Sequence, residues 1–226
     1  MAPPTIDEII VSDSPDRWEA LGFTVADDAC RLGEVTLRFT GPANDVQDSE
    51  DRPGLAAWTL REPAGTDLDG LPTSRSDRPL PEQAGAEHAN GVLGIDHIVA
   101  MSPSLDRTVA ALQAAGLDLR RIREEPTAAG APRQAFFRLG SEILEVVQEP
   151  EEVLARTGGP DRPTRFWGLA LLAEDLDRTV AAFAPHVGTI RPAVQPGRRI
   201  ATVRRTAGLA VPIALMSRRE RSDGRR

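Results

Sequence analysis

The pattern of apolar and polar residues along the chain occurs twice. Residues 105–111 and residues 176–182 both read LDRTVAA, 71 positions apart. A strand-like apolar run precedes each copy, GIDHIVAM at 94–101 and FWGLALLA at 166–173. A basic extended stretch and two further strand-like runs follow each copy. Seven identical residues within the same order of elements predict an internal duplication.

The spacing of the apolar residues predicts the type of each element. Leu105, Val109 and Leu112 recur at helical spacing after a capping serine, and Gly116 ends the pattern, so a helix is predicted. The runs FFRL and ILEVV are short and rich in β-branched or aromatic residues, which is typical of strands. Each copy is therefore a βαβββ module, at 93–150 and at 164–217, and the fold class is α+β. Two such modules side by side predict an open, eight-stranded cup whose concave face can hold a ligand.

A weaker copy of the same opening lies at the N-terminus. IDEI at 6–9 aligns with IDHI at 95–98, so residues 1–62 are interpreted as a degenerate βαβββ-like module. Residues 63–92 are rich in proline without an apolar period and are predicted to be a loop linker, and residues 218–226 a disordered tail. An odd number of modules would leave one sheet unpaired. We therefore expect this sheet to be buried against the main cup or paired across a homodimer.

Composition and charge restrict the class of partner. The net charge of -7 argues against a nucleic-acid partner, because phosphate binding needs a basic face. No apolar run approaches the length of about 20 residues that crosses a bilayer, and the start MAPPTIDEII lacks a basic segment before an apolar one, so we expect no membrane association. The single cysteine, Cys30, cannot form an internal disulfide, is expected to be inert packing, and fits a cytoplasmic protein. A small molecule is the expected ligand.

Three motifs resemble a known superfamily. IDHIV at 95–99, a helix opened by SLD, and ILEVV at 143–147 resemble the modules of glyoxalase-like, bleomycin-resistance-like and extradiol-dioxygenase-like proteins, the vicinal oxygen chelate superfamily. The resemblance covers residues 93–217 well and residues 5–62 weakly. It implies a divalent metal (zinc, nickel, manganese or iron) at the centre of the cup, with His97 and Glu145 as its ligands from the first and last strands of the first module.

The second module departs from that pattern. The repeat offsets of 71 and 67 place Gly168 and Pro212 at the two ligand positions, and neither has a side chain that can ligate a metal. The N-terminal copy has Glu8 at the His97 position, but in a different sheet. The metal-ligand set is therefore incomplete. Two alternatives stay open: a site completed by another module or chain, or a metal-free cup.

In the metal-free alternative, His97 is a general base that Glu145 orients. Glu145 lies between apolar neighbours in a strand. Because side chains alternate between the faces of a strand, Leu144 and Val146 are expected to face the helix and Glu145 the cup.

Further side chains are candidates for substrate binding at the mouth or wall of the cup. Arginine there suits a carboxylate, phosphate or enolate. Each candidate also has a structural explanation: a turn built by Asn90-Gly91, solvated charge at strand ends, or core packing of the aromatic residues Phe136, Phe166 and Trp167. The predicted substrate-binding residues are His88, Arg133, Gln134, Trp167, Gln195 and Arg199.

Three functions are compatible with these residues. The first is a glyoxalase-like enzyme, namely a lyase, isomerase or oxygenase that acts on an oxygenated metabolite through His97 and Glu145. The second is a non-catalytic drug- or metabolite-binding protein of the bleomycin-resistance type, which Gly168 and Pro212 favour. The third is a structural relic whose cup is filled by side chains.

Overall fold

The chain forms two mixed sheets with few helices. The computed structural model describes residues 3–41, 54–82, 85–126, 130 and 132–219. In the N-terminal part, the elements are β1 (Thr5–Val11), α1 (Pro15–Ala20), β2 (Val25–Ala26), β3 (Ala29–Leu32), β4 (Val35–Phe39), β5 (Leu55–Arg61) and β6 (Thr73–Ser76). In the rest of the chain, they are β7 (Val92–Ser102), α2 (Leu105–Ala114), β8 (Asp118–Arg123), β9 (Gln134–Leu139), β10 (Glu142–Gln148), α3 (Glu151–Arg156), β11 (Arg165–Ala173), α4 (Leu176–Ala182), β12 (Arg191–Pro192), β13 (Arg199–Thr202), a 3-10 turn (Arg205–Ala207) and β14 (Ile213–Ser217).

The eight-stranded sheet contains the two predicted modules. Its strand order is β12-β13-β14-β11-β7-β10-β9-β8. In each module the first and last strands are parallel neighbours, β7 with β10 and β11 with β14. The two first strands, β7 and β11, pair antiparallel at the centre, where His97 lies opposite Ala170. The predicted α+β fold of paired βαβββ modules is thereby confirmed.

The helices cover one face of this sheet. Leu105, Val109 and Leu112 of α2 are buried, as their helical spacing predicts. Ser104 is the N-cap residue but makes no side-chain capping bond, whereas the Asp175 carboxylate accepts two backbone N–H bonds at the start of α4. Gly116, with a φ of 88°, ends the segment after α2 in the left-handed region that glycine tolerates.

The N-terminal sheet contains more than the one expected module. Its strand order is β2-β3-β4-β1-β5-β6, and β1 to β4 form a complete βαβββ unit. Strand β5 pairs antiparallel with β1 as β11 does with β7, and β6 pairs parallel with β5 as β14 does with β11. We interpret β5 and β6 as the first and last strands of a shortened fourth module.

This pairing differs from two sequence-based expectations. Residues 63–92 were expected to be loop throughout, but residues 73–76 form strand β6. The number of modules was expected to be odd, but the central strand β1 has β5 as its partner. The N-terminal sheet therefore has no unpaired module to cover, and the homodimer stays a prediction for light scattering. Residues 220–226 of the predicted tail lie outside the described residues.

The two sheets share one hydrophobic core. The rings of Trp58 in β5 and Phe166 in β11 are 5.1 Å apart, and those of Phe23 and Phe183 are 5.9 Å apart. All four side chains belong to a single cluster of buried residues. Within the described part of the chain, no helix is long and apolar enough to cross a membrane.

A partly buried carboxylate, Asp69, connects the segment between β5 and β6 to the eight-stranded half. Asp69 accepts hydrogen bonds from Arg107 Nε at 2.7 Å, Thr108 Oγ1 at 2.5 Å and Thr164 Oγ1 at 2.8 Å. Its φ of 54° is one that aspartate tolerates better than most residues. Asp69 thus occupies a junction between the shortened fourth module, α2 and the start of β11.

Candidate functional site

A cavity of about 570 Å³ opens on the face of the eight-stranded sheet that the helices leave free. We call this cavity the cup. It is lined by residues 121–125 at the end of β8, by the loop 193–196, and by His97, Gln134, Phe136, Glu145, Ile200 and Met216. It therefore receives residues from both modules, and it is not filled by side chains as in a structural relic.

His97 and Glu145 meet on the floor of the cup. In the parallel pairing of β7 with β10, Glu145 lies beside Val99, two residues from His97 and on the same face. Leu144 and Val146 are fully buried on the opposite face. The distance from His97 Nε2 to Glu145 Oε2 is 3.4 Å. The alternation of residues in ILEVV thus places the carboxylate against the imidazole.

Asp96 binds the other side of the His97 ring, because the strand is irregular at this point. Ile95 pairs with Leu171 and His97 with Ala170, so Asp96 is an extra residue in β7. Asp96 Oδ2 lies 2.8 Å from His97 Nδ1. Its other oxygen, Oδ1, accepts a hydrogen bond from Arg198 Nη2 at 2.5 Å.

The charge of Asp96 determines which nitrogen of His97 carries a proton. Burial favours the protonated acid, but the hydrogen bonds from His97 and Arg198 outweigh it and hold the pKa of the Asp96 carboxyl below its ordinary value. An ionised carboxylate only accepts hydrogen bonds, so His97 Nδ1 must donate. The second nitrogen, Nε2, is then directed at Glu145.

Glu145 is suited to exchange a proton with His97. Burial raises the pKa of the Glu145 carboxyl, although the nearby His97 opposes the rise. Gln134 Nε2 donates a hydrogen bond to the far oxygen, Oε1. Because Oε2 and Nε2 are both acceptors when unprotonated, their contact is stable when one proton lies between them. The pair can therefore accept or release a proton at the floor of the cup.

The second module supplies no counterpart to this pair. Gly168 lies opposite Val99 and takes the place of His97, and a side chain there would meet the Pro212 carbonyl oxygen at 2.6 Å. Leu169 pairs with Ile213 where Ile98 pairs with Leu144. The counterpart of Glu145 is therefore Ala214 and not Pro212, because the strand register differs by two residues from the sequence offset. Neither Gly168 nor Ala214 has a ligating side chain.

These donors do not fit a tightly held divalent metal. His97 and Glu145 are two ligands where three or four are usual. Asp96 is on the Nδ1 side of the imidazole, away from Glu145, and is bonded to Arg198. In the described ranges, no group of three or more His, Cys, Asp or Glu side chains is arranged to hold a metal ion.

The wall of the cup contains two arginines that are not among the predicted substrate-binding residues, Arg121 and Arg123. The guanidinium carbon of Arg121 lies 5.1 Å from the centre of the Phe136 ring, within cation–π range. Arg123 is one quarter exposed; its Nε lies 3.6 Å from Glu125 Oε2, and its positive charge acts to lower the pKa of Glu145. The sequence feature that could have indicated these two arginines is the basic stretch LRRIR, which forms an edge strand beside the predicted cup.

Only two of the six predicted substrate-binding residues line the cup, namely Gln134 and Gln195. Arg133 is not in the lining; it donates to Asp106 and to Glu124, and Glu124 itself lines the cup.

The other candidates at the mouth or wall lie elsewhere. Arg199 donates to Asp177, at 2.8 Å from Nη2 to Oδ2. Trp167, at 48% exposure, lies outside the cavity lining, in an irregular pairing between Phe166 and Gly168. Of the three aromatic residues considered, Phe136 lines the cup and Phe166 packs in the core.

His88 lies apart from the cup, in contact with the N-terminal sheet. Its Nδ1 accepts a hydrogen bond from the Thr24 backbone N–H at 3.1 Å, so Nε2 carries the proton and donates to the Arg31 carbonyl, also at 3.1 Å. Burial lowers the pKa of His88, and the bond to Arg31 opposes this. These contacts give the ring a packing role between segments distant in sequence.

Cys30 should not react with thiol reagents in the native protein. It is fully buried, with Sγ 4.0 Å from His88 Nε2, and burial raises the pKa of its thiol to about 12. Titration with an aromatic disulfide reagent at neutral pH should release no chromophore until denaturant is added. Rapid release from the folded protein would contradict the described packing of β3.

The corresponding position in the N-terminal sheet is occupied by ion pairs. Glu8 replaces His97, and Arg38, beside Ile10, replaces Glu145. Arg38 Nη2 lies 2.9 Å from Glu8 Oε2. Asp7, the counterpart of Asp96, binds Arg61 and Arg78. Opposite charges thus stand where the other sheet has an acid–base pair.

Comparison with known proteins establishes the fold. No family model and no curated protein matches the sequence. A mutant of 4-hydroxymandelate synthase from Streptomyces coelicolor superposes with a TM-score of 0.62 at 15% identity, covering 99% of this chain and 95% of that one. A xylose isomerase-like TIM barrel/4-hydroxyphenylpyruvate dioxygenase fusion protein gives a TM-score of 0.55 at 12% identity, covering 99% of this chain and 50% of that one.

A shorter match covers about half of the chain. Methylmalonyl-CoA epimerase from Mycobacterium tuberculosis gives a TM-score of 0.46 at 18% identity over 58% of this chain and 92% of its own. The two matches that span 99% of this chain share the paired-module fold that the sequence motifs predict. The predicted resemblance in fold is confirmed.

Proposed function

We propose, from the vicinal oxygen chelate fold of this chain and the geometry of its cup, that the protein is an acid–base enzyme acting on a small carboxylic acid. The reaction would remove a proton from a carbon next to a carbonyl group, as an isomerase or lyase does. The observation that carries the proposal is the line from Asp96 through His97 to Glu145, with the raised pKa of Glu145 at its end.

The chemistry needs only side chains of this chain. The carbon–hydrogen bond breaks, its proton passes to the carboxylate of Glu145, and its electron pair moves into the carbonyl to form an enolate. His97 then shares the proton through Nε2, while Asp96 balances the charge on the ring. Return of the proton gives isomerisation, and loss of a leaving group gives a lyase reaction. None of these steps needs a metal, and Gly168 and Ala214 supply no ligands for one.

The wall of the cup supports the choice of a carboxylate substrate. Arg121 and Arg123 bring two positive charges to the side of the cavity that contains Phe136. Of the two carboxylates in the same stretch, Glu124 is paired with Arg133 and Glu125 lies 3.6 Å from Arg123. A guanidinium can bind a carboxylate through two parallel hydrogen bonds. Val194, Ile200 and Met216 supply an apolar opposite wall, which suits the organic part of the acid.

Deuterium incorporation tests this function directly. The purified protein is incubated in heavy water with α-ketobutyrate, benzylpyruvate and related keto acids, and proton loss next to the carbonyl is followed by NMR. We expect at least one acid to exchange faster than without protein. Exchange at the uncatalysed rate for the whole panel would contradict proton transfer on this class of acid.

Replacing Arg123 by alanine should weaken binding of that acid about tenfold or more, because a charge-assisted hydrogen bond in a partly buried site is lost. Isothermal titration calorimetry with α-ketobutyrate and benzylpyruvate measures the change. Arg120→Ala is the matched control, since Arg120 lies on the same strand and binds Asp118 outside the cup. Equal affinities for the two variants would remove Arg123 from the site.

Binding without catalysis is the second candidate function. The apolar wall and the absence of ligands at positions 168 and 214 favour it, because such a cup can hold a drug or metabolite without activating it. Saturable binding of a keto acid in calorimetry, together with no exchange in heavy water, would select this function.

A further inference from the structure

We propose that Arg198 is a positioning residue: it holds His97 through Asp96 and fixes the loop 193–196 over the same site. This inference rests on the proposed function, because that function gives His97 its role in proton transfer. The contacts themselves can be tested without a substrate. Arg198 belongs to the second module and Asp96 to the first, so the contact crosses the central pair of strands.

Every side-chain nitrogen of Arg198 has a described partner. Nη2 donates to Asp96 Oδ1 at 2.5 Å, Nε to the Ser217 carbonyl at 2.9 Å, and Nη1 to Gln195 Oε1 at 2.9 Å. The side chain is 10% exposed. Three bonds to three different segments fix the orientation of the guanidinium plane. A flexible surface arginine would lack such a set of bonds.

The bond to Asp96 determines how His97 is held. Arg198 occupies Oδ1, so Oδ2 is the oxygen left for His97 Nδ1, at 2.8 Å. The ring is thereby oriented with Nε2 toward Glu145. Without Arg198, the Asp96 carboxylate could rotate, and its partly buried charge would lose its counter-charge. The Nδ1 hydrogen bond would then open more often.

The same arginine closes the loop over the cup. Besides the side-chain bond to Gln195, the Arg198 backbone N–H donates to the Gln195 carbonyl at 3.2 Å, and the Ala193 N–H donates to the Arg198 carbonyl at 2.9 Å. Residues 193–196 line the cup. A ligand that touches Gln195 therefore contacts a residue bonded to Arg198, and Arg198 in turn binds the Asp96 carboxylate that orients His97. In place of ligating side chains at positions 168 and 214, the second module contributes this arginine.

Imidazole N–H signals in the NMR spectrum of protein labelled with ¹⁵N-histidine test the proposal. The chain has three histidines. His97 should give a solvent-protected Nδ1–H, held by Asp96, and His88 a protected Nε2–H, held by the Arg31 carbonyl. His186 is on an exposed contact with Thr206 and should exchange rapidly. The His88 signal reports in the same sample whether a variant is folded.

Arg198→Ala should speed exchange of the His97 Nδ1–H with water about tenfold or more, because the charge-assisted bond that fixes Asp96 is lost. Asp96→Ala should remove the protected Nδ1–H signal. Arg204→Ala is the matched control: Arg204 is an exposed arginine of the same module that donates to the Pro185 carbonyl, and its loss should change neither signal. Unchanged exchange at His97 in Arg198→Ala, with the His88 signal intact, would overturn the proposal.

Arg198→Lys tests the positioning role of Arg198 if the alanine variant does not fold. A lysine ammonium keeps the charge beside Asp96 but cannot reproduce the planar fork to Ser217 and Gln195. The His97 Nδ1–H should then exchange faster than in wild type but remain observable, unlike in Asp96→Ala, and a wild-type rate would again overturn the proposal. Failure of the keto-acid assay leaves these signals untouched, so the two proposals fail separately.

Discussion

Replacing Glu145 by glutamine should lower the rate of deuterium incorporation by a factor of about one hundred to ten thousand, which is the usual contribution of a general base. Glutamine keeps the size of the side chain and can still accept the hydrogen bond from Gln134, but it cannot take a proton from carbon. The measurement is the initial exchange rate of the keto acid with the largest wild-type rate, compared at equal protein concentration. A rate within twofold of wild type would remove Glu145 from the reaction.

Glu142→Gln is the matched control for that variant. Glu142 is on the same strand, it is buried, and burial raises the pKa of its carboxyl, but it lies outside the lining of the cup. Both carboxyls bind a proton more readily in the folded state, so ionisation destabilises the fold as the pH rises above their ordinary pKa of 4.5. Both variants should therefore be at least as stable as wild type at neutral pH, and only Glu145→Gln should lose activity.

Replacing Asp69 by asparagine should lower the free energy of unfolding at neutral pH by about 2 kcal/mol. The reason is that the substitution removes a carboxylate that accepts hydrogen bonds from three side chains. Asparagine tolerates the same backbone conformation, so the change removes the charge and one acceptor oxygen without straining the backbone. Urea unfolding followed by tryptophan fluorescence measures the difference. Asp67→Asn, an exposed change in the same segment, should have an effect near zero.

The effect of Asp69 should depend on pH in one direction. Burial favours its protonated form, but the hydrogen bonds from Arg107, Thr108 and Thr164 outweigh it and hold the pKa of the carboxyl below its ordinary value. Its stabilisation is therefore complete above the unfolded pKa of about 4 and is lost as the pH falls toward the folded pKa. The difference in the free energy of unfolding between wild type and Asp69→Asn should therefore disappear in acid. A gap that widens in acid would contradict the described bonds.

The repeated elements of the fold were predictable because they carry a periodic signal. LDRTVAA occurs twice in the same context, and each copy begins a helix after the first strand of its module. The fourth module was not predictable from periodicity. Its helix and middle strands are absent between β5 and β6, and the four residues of β6, TSRS, have no apolar alternation. Only the pairing with β5 defines them as a strand.

The site was predictable where it depends on strand alternation and not where it depends on long-range contacts. His97 and Glu145 meet because each lies at a defined position of a regular strand. Asp96 reaches the same face through an irregularity of β7, and Arg198 reaches it from 102 positions away in sequence. The register of a strand is likewise not predictable from a sequence offset alone. In β14 the pairing differs from the offset by two residues, so Ala214 occupies the position that the offset assigned to Pro212.

The exchange rate of metal-free protein tests the central claim most directly. Wild type and His97→Ala are dialysed against a chelator, their metal content is determined by mass spectrometry, and each is assayed in heavy water with the keto-acid panel. If the side chains of the cup transfer the proton, the metal-free wild type should catalyse exchange. The His97→Ala variant should lose most of that exchange. Exchange that appears only when zinc, nickel, manganese or iron is restored, and in proportion to the metal bound, would contradict it.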